Sequence, residues 1–184
     1  MEITKVKIAI IGSSSTGKTT LAKELQKQRI VENYITVDAR SIIEKYNIKN
    51  IDEFKKVDYI LFQKEWLELK IKIENGYGDF ITDRSYLDAI AYMQSKQFID
   101  KNLIQLCHEK MKTYDVVFYL PYGGISFEND GFRSKNTKFN KLVDSHIIEL
   151  LKSYTMPYYR INVSNLSERI SFIKDIIEKD FHDK

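Results

Sequence analysis

Gly12-Ser13-Ser14-Ser15-Thr16-Gly17-Lys18-Thr19 follows the apolar run Lys5-Val6-Lys7-Ile8-Ala9-Ile10-Ile11 and precedes a helical pattern. That order decides the fold. The run is rich in β-branched residues and ends at a glycine, as a buried strand does. From Lys18 to Arg29 the pattern places Leu21, Ala22 and Leu25 on one helix face. Each fixed point of the spacing G-x-x-x-x-G-K-[ST] has a physical reason. Gly12 lets the chain turn off the strand, and Gly17 lets the backbone pass close to phosphate oxygens. The amides of Ser13, Ser14, Ser15 and Thr16 make an anion-binding nest at a helix N-terminus, where the macrodipole favours negative charge. Lys18 is set to bridge the β and γ phosphates of ATP, Thr19 to ligate Mg²⁺, and Thr20 completes the phosphate-binding set.

Outward from the loop, short apolar runs alternate with helical patterns. Tyr34 to Val37 reads as a second strand ending at Asp38, and Ala39 to Tyr46 as a short helix. Asp52 to Ile73 reads as a long helix capped by Asp52, with Val57, Ile60, Leu61, Leu67 and Ile71 at helical spacing. Asn75-Gly76-Tyr77-Gly78 stops it. Asp79 to Thr82 is a third strand ending at Asp83. Helices follow over Ser85 to Ser95 and Ile99 to Lys112, then a fourth strand over Asp115 to Leu120. Pro121 and Gly123-Gly124 halt that strand, and Tyr122 to Thr137 shows no convincing period. Lys138 to Tyr154 is helical, Tyr158 to Val163 a fifth strand, and Ser167 to Lys179 a closing helix capped by Ser167. The alternation predicts an α/β three-layer sandwich: a five-stranded parallel sheet with helices on both faces. With no repeat or linker, one P-loop domain over 1–184 is expected, with a lid segment at about 122–140.

Composition narrows the function classes. The net charge is 29 − 26 = +3, dispersed along the chain, so neither nucleic acid nor a membrane is favoured as a partner. No apolar stretch nears the ~20 residues of a membrane span. Met1-Glu2-Ile3-Thr4 leads straight into a strand, so no signal peptide is expected. One cysteine, Cys107, excludes an intrachain disulfide and points to a cytoplasmic setting; its apolar neighbours mark it as a packed core thiol. His108, His146 and His182 lack metal-ligand spacing and read as surface or half-buried residues. The sequence leaves the oligomeric state open, a homodimer included.

A second constellation lies at Asp83-Arg84-Ser85, after the third strand, at the carboxyl edge where open α/β sheets bind ligands. Asp83 can hold Mg²⁺ there through water. Arg84 can clamp an acceptor or neutralise charge on a transferring phosphoryl group. The plainer alternative makes Asp83 a helix cap and Arg84 a surface ion-pair partner.

At these residues the chain resembles the P-loop kinase-like group that includes nicotinamide-riboside kinases and an AAA-labelled family of small ATPases. It is also similar to deoxynucleoside and thymidylate kinases. The likeness rests on the loop, on Asp38-Ala39-Arg40, on the run from Asp83 through Tyr92 and on Asp130-Gly131-Phe132-Arg133. It implies transfer of the γ-phosphoryl group of ATP, with Mg²⁺, to a small nucleoside- or nucleotide-like acceptor. By that resemblance Asp38 is the base that accepts the acceptor's hydroxyl proton, although it can equally cap the following helix. Arg40 sits one position further into the pocket or on a solvated face. Phe62-Gln63 resembles the pair with which deoxynucleoside kinases read a base edge, and Trp66, one turn on, can stack on a heterocycle. The alternative is that the aromatics are core and Gln63 faces water. Arg133, with Lys135 and Lys138 nearby, fits the lid arginine that closes over the phosphates. The catalytic set expected on this basis is Lys18, Asp38, Arg84 and Arg133. Competing expectations are a nicotinamide-riboside kinase, a kinase acting on DNA ends or modified bases, and a partner-dependent regulatory ATPase. A guanine-reading Asn-Lys-x-Asp run is missing: Leu120-Pro121-Tyr122-Gly123 stands in its place.

Overall fold

A computed structural model describes residues 5–46, 48, 53–123 and 136–181. Five strands form one sheet: β1 (Lys7–Ile11), β2 (Tyr34–Ile35), β3 (Phe80–Asp83), β4 (Val116–Tyr119) and β5 (Tyr158–Arg160). Their order is β2-β3-β1-β4-β5, and every adjacent pair is parallel. The helices are α1 (Lys18–Lys27), α2 (Ala39–Ile43), α3 (Lys56–Glu74), α4 (Tyr86–Lys96), α5 (Lys101–Met111), α6 (Thr137–Leu151) and α7 (Leu166–Phe181). None of those described is long and apolar enough to cross a membrane.

The continuous apolar character of β1 follows from burial on both faces. Ile8 and Ile10 enter one core with Leu21, Leu25 and Ile173, from α1 and α7. Ala9 and Ile11 enter the other with Phe62, Ile90 and Ile147, from α3, α4 and α6. Side chains two apart therefore share a core, the strand period read directly as two helical layers. Chain order reverses at β1, whose neighbours are β3 and β4. This is the switch point where a parallel sheet opens a crevice at its carboxyl edge. Cys107 is fully buried, and burial pushes its thiol up to about 12.

Several expected boundaries shift. β2 closes at Ile35 rather than Val37, and β5 at Arg160 rather than Val163. The long helix starts at Lys56 with Lys55 in the cap position, so Asp52, which lies outside the described residues, is not its cap. Its inward face also differs. Val57 is 70% and Leu61 50% exposed, while Gln63, Lys70 and Glu74 are buried. Polar residues take buried places here because each finds a partner, a pairing that apolar periodicity cannot register. The closing helix is capped by Asn165, not Ser167: the Asn165 Oδ1 accepts the amides of Ser167 at 2.9 Å and Glu168 at 3.3 Å. The half-buried His108 bonds the Tyr154 hydroxyl, and the His146 Nδ1 lies 2.9 Å from the Ser95 Oγ. His182 lies outside the described residues.

Candidate functional site

Gly12 leaves β1 with φ 149°, Ser15 has φ 62°, and Gly17 takes a left-handed φ of 86° immediately before α1. A Cβ on Gly12 would lie 2.4 Å from the Leu120 carbonyl oxygen and 2.9 Å from the Thr16 Oγ1. The first contact is with backbone that cannot swing aside. Gly12→Ala is therefore expected to cost about 2 kcal/mol or more of stability, from overpacking and backbone strain together. Nucleotide binding should fall with it; thermal melting with and without ATP checks both.

The loop is gripped by two helices and by its own lysine. From α4, the Asp88 Oδ1 accepts the Gly12 amide at 3.1 Å, and the Tyr92 hydroxyl shares a 2.8 Å hydrogen bond with the Ser14 Oγ. From α7, the Arg169 Nη1 donates to the Thr16 carbonyl at 2.9 Å and its Nε to the Val163 carbonyl at 2.7 Å. Inside the loop, the Lys18 Nζ donates to the Ser13 carbonyl at 2.6 Å. Asp88 is also the third helical residue of a capping box: its Oδ2 accepts the Ser85 amide at 2.6 Å while the Ser85 side chain caps α4. Burial pushes the Asp88 carboxyl up, against the pull of Lys18, the Ser85 and Gly12 amides, and Arg84.

At the carboxyl edge, the Thr19 hydroxyl donates to the Asp83 Oδ2. Asp83 is buried and its Oδ1 has no hydrogen-bond partner. A hydroxyl beside a carboxylate with an unused buried oxygen is a donor set that fits Mg²⁺, which takes one or two carboxylates and completes its shell with phosphates and water. Among the described residues no three His, Cys, Asp or Glu side chains group as a metal cage, and Mg²⁺ bound this way needs none.

Arg84 has φ 76°, strained for a residue with a Cβ. Its guanidinium lies 5.7 Å from the centre of the Tyr92 ring. Burial pulls it down, but Tyr92, Asp83, Asp88 and Tyr59 outweigh that and hold it above its ordinary value. Arg84 stands where two cavities meet. The larger, about 370 Å³, is lined by Thr19, Lys23, Asp38, Arg40, Asp83 and Arg84, among others. Of the residues singled out in the sequence, Thr19, Asp38, Arg40, Asp83 and Arg84 come together here. Asp38 is exposed, and its Oδ1 accepts the Arg40 amide at 3.0 Å as the N-cap of α2. Asp38 is thus the helix cap that the sequence offers as one of its two roles, and it also lines the cleft.

The smaller cavity, about 20 Å³, lies between the α3 face (Phe62, Gln63, Trp66) and the α4 face (Asp88, Ala89, Tyr92). Gln63 is buried, not water-facing, and its Nε2 donates to the Tyr59 hydroxyl at 2.8 Å. The Trp66 Nε1 donates to the Val37 carbonyl at 3.4 Å. That volume holds about one water, so a heterocycle enters only if α3 or α4 side chains withdraw. Arg133, Lys135 and the run Asp130 to Phe132 lie outside the described residues, and Lys138 is exposed at the start of α6.

Asp88, Tyr92 and Arg169 hold the loop, a role not visible in the sequence alone. A signal existed for Asp88: Ser85-Tyr86-Leu87-Asp88 has capping-box spacing. Tyr92 carries no local signal.

A family model described as an AAA domain matches residues 7–169. No curated protein matches the chain. Among solved structures, a deoxyadenosine kinase from M. mycoides with products dCMP and dCDP bound is similar, at 18% identity and TM-score 0.68, over 94% of this chain and 98% of that one. A thymidylate kinase from Candida albicans gives 17% and 0.62, over 96% and 92%. A NadR protein in complex with NR gives 19% and 0.66, over 96% of this chain and 53% of that one. At such identities the likeness is one of fold.

Proposed function

This chain belongs to the AAA-domain family, and on that premise we propose that it is an ATP- and Mg²⁺-dependent phosphotransferase acting on a small nucleoside- or nucleotide-like acceptor. The observation that carries the reading is the cleft of about 370 Å³ beside Thr19 and Asp83, lined by Asp38, Arg40 and Arg84. A phosphate loop needs no such cleft to bind ATP. An enzyme that hands the γ-phosphoryl group to a second molecule does. The solved structures of like fold are a deoxyadenosine kinase, a thymidylate kinase and an NR-bound NadR, in keeping with that class of acceptor.

Phosphoryl transfer asks the protein mainly for position and charge. The loop amides and Lys18 would hold the β and γ phosphates. Thr19 and Asp83 would hold Mg²⁺, which when bound neutralises charge on the phosphates. Arg84 would face the transferring group from the acceptor side, and Asp38 would orient an attacking hydroxyl from the cleft. Gln63 and Trp66 would receive the base once the α3 and α4 walls part, and Arg133 would close over the phosphates. Transfer is direct, with no covalent intermediate. The enzyme acts in the cytoplasm as one domain, on a small molecule.

The test is ATP consumption with Mg²⁺ against nucleosides, nucleoside monophosphates, nicotinamide riboside and DNA oligonucleotides. Stimulation by one small acceptor, with a phosphorylated product seen by mass, supports the reading. Stimulation by oligonucleotides alone moves the substrate to DNA ends. Slow hydrolysis indifferent to every acceptor replaces it with a partner-dependent ATPase.

A further inference from the structure

A buried ion pair lies behind the smaller cavity, where the proposed chemistry makes no use of it. The Lys70 Nζ is 2.7 Å from the Glu74 Oε1, one helical turn away on α3, and both residues are almost wholly buried. Glu74 also accepts the Tyr86 hydroxyl at 2.6 Å and the Tyr114 hydroxyl at 2.9 Å. Lys70 donates to the Thr82 Oγ1 at 2.8 Å and lies 5.4 Å from the Trp66 ring centre and 5.5 Å from that of Tyr86. Thr82 in turn donates to the Arg84 carbonyl at 3.4 Å, and the Arg84 amide donates to the Ile10 carbonyl at 2.9 Å.

Stability alone does not account for such a pair. Removing two charges from water costs much of what their attraction returns, and apolar residues of similar volume commonly serve as well or better. A buried pair does fix geometry, because neither charge can move without losing its partner. Lys70 reaches two residues that line the cavity, Trp66 on α3 and, through Thr82, the strained backbone of Arg84. It also lies over Tyr86, which opens the helix whose Asp88, Ala89 and Tyr92 form the facing wall.

We propose that Lys70 and Glu74 are positioning residues for the acceptor pocket, setting the spacing of its α3 and α4 walls and holding Arg84 in its left-handed conformation through the Thr82 hydroxyl. The inference rests on reading this cavity as the acceptor's. It assigns the network to acceptor recognition. Among the described residues neither Lys70 nor Glu74 contacts the loop, whose grips come from Asp88, Tyr92 and Arg169, so ATP binding should feel the network's loss far less.

Two variants and a built-in probe test this. Thr82→Val keeps the side-chain shape and removes the hydroxyl that links Lys70 to the Arg84 carbonyl. Lys70→Met/Glu74→Gln removes both charges together and keeps a carbonyl to accept the two tyrosines. Trp66 is the only tryptophan, so emission excited selectively at tryptophan, beyond the absorption of the 12 tyrosines, reports on this wall alone. The probes are deoxyadenosine, deoxycytidine, their monophosphates and nicotinamide riboside. The wild type should turn over at least one of them, with a change in Trp66 emission on binding. In both variants the KM for that acceptor should rise about fivefold or more, the scale of losing one net hydrogen bond's worth of orientation. The KM for ATP should stay within about a factor of two, and the resting Trp66 emission of the charge-free variant should shift. Folded variants with unchanged acceptor KM and unchanged emission would overturn the positioning role while leaving the kinase reading intact. If the double variant does not fold, Thr82→Val decides by the same two readouts. A wild type that neither turns over nor registers any of these probes through Trp66 overturns the kinase reading and this inference together.

Discussion

Lys18→Ala should abolish measurable turnover while leaving the fold in place. The side chain is buried at the head of α1, and its Nζ reaches back to the Ser13 carbonyl at 2.6 Å. It is therefore already drawn in over the loop, where the β and γ phosphates would sit. A preorganised cation at developing charge is worth about 10²–10³ in rate when a single donor is removed. Charge-assisted hydrogen bonds to bound phosphate are worth about 1.5–3 kcal/mol each, so ATP affinity should fall by roughly tenfold to a hundredfold as well. The frame of the loop does not rest on this side chain alone, because Asp88, Tyr92 and Arg169 also hold it from outside. The melting temperature without nucleotide should accordingly change little, while the stabilisation by ATP largely disappears. Turnover retained within about threefold of the wild type would be too small a loss for a phosphate-bridging lysine.

What the sequence made legible divides along a physical line. The strand, the loop and the first helix form one contiguous stretch whose chemistry is local, so Gly12, Gly17, Lys18 and Thr19 could be read in place. Asp83 and Arg84 were readable because a strand end fixes where its next residues lie. The supports of the loop were not, since Gly12 meets Asp88 across 76 residues and Ser14 meets Tyr92 across 78. Helix α3 shows the same limit in another form. Its apolar residues suggested a face with Val57 and Leu61, but the buried stripe carries Gln63, Lys70 and Glu74, each satisfied by a partner from the same helix or beyond. Periodicity measures hydrophobicity, and a buried polar network is invisible to it. The cap of α7 is ambiguous by residue type, because Asn165 and Ser167 stand two positions apart and both are good cap residues. Gln63 and Trp66 flank one cavity with Arg84, and its closed walls could not have been foreseen from side-chain types.

Asp38→Asn separates the two roles that the structure lets Asp38 hold. Asparagine caps a helix about as well as aspartate, so the bond from the Arg40 amide to the side-chain oxygen survives, and stability should be unchanged within roughly 0.5 kcal/mol. What asparagine cannot do is accept a proton from an attacking hydroxyl. With a nucleoside acceptor, turnover should therefore fall by about 10²–10⁴, the usual contribution of a general base, while ATP affinity holds. A monophosphate acceptor behaves differently. Its second ionisation lies at about 6, so the attacking oxygen is already anionic at neutral pH and needs no base. The same substitution should then leave turnover nearly untouched, and Lys23, Arg40 and Arg84, which line the cleft beside Asp38, become the groups that matter. Comparing kcat for a nucleoside and for its monophosphate in this one variant thus reads out which oxygen attacks. A large loss with the nucleoside establishes Asp38 as the base. Unchanged turnover with a hydroxyl acceptor sinks that assignment and leaves Asp38 as the cap of α2.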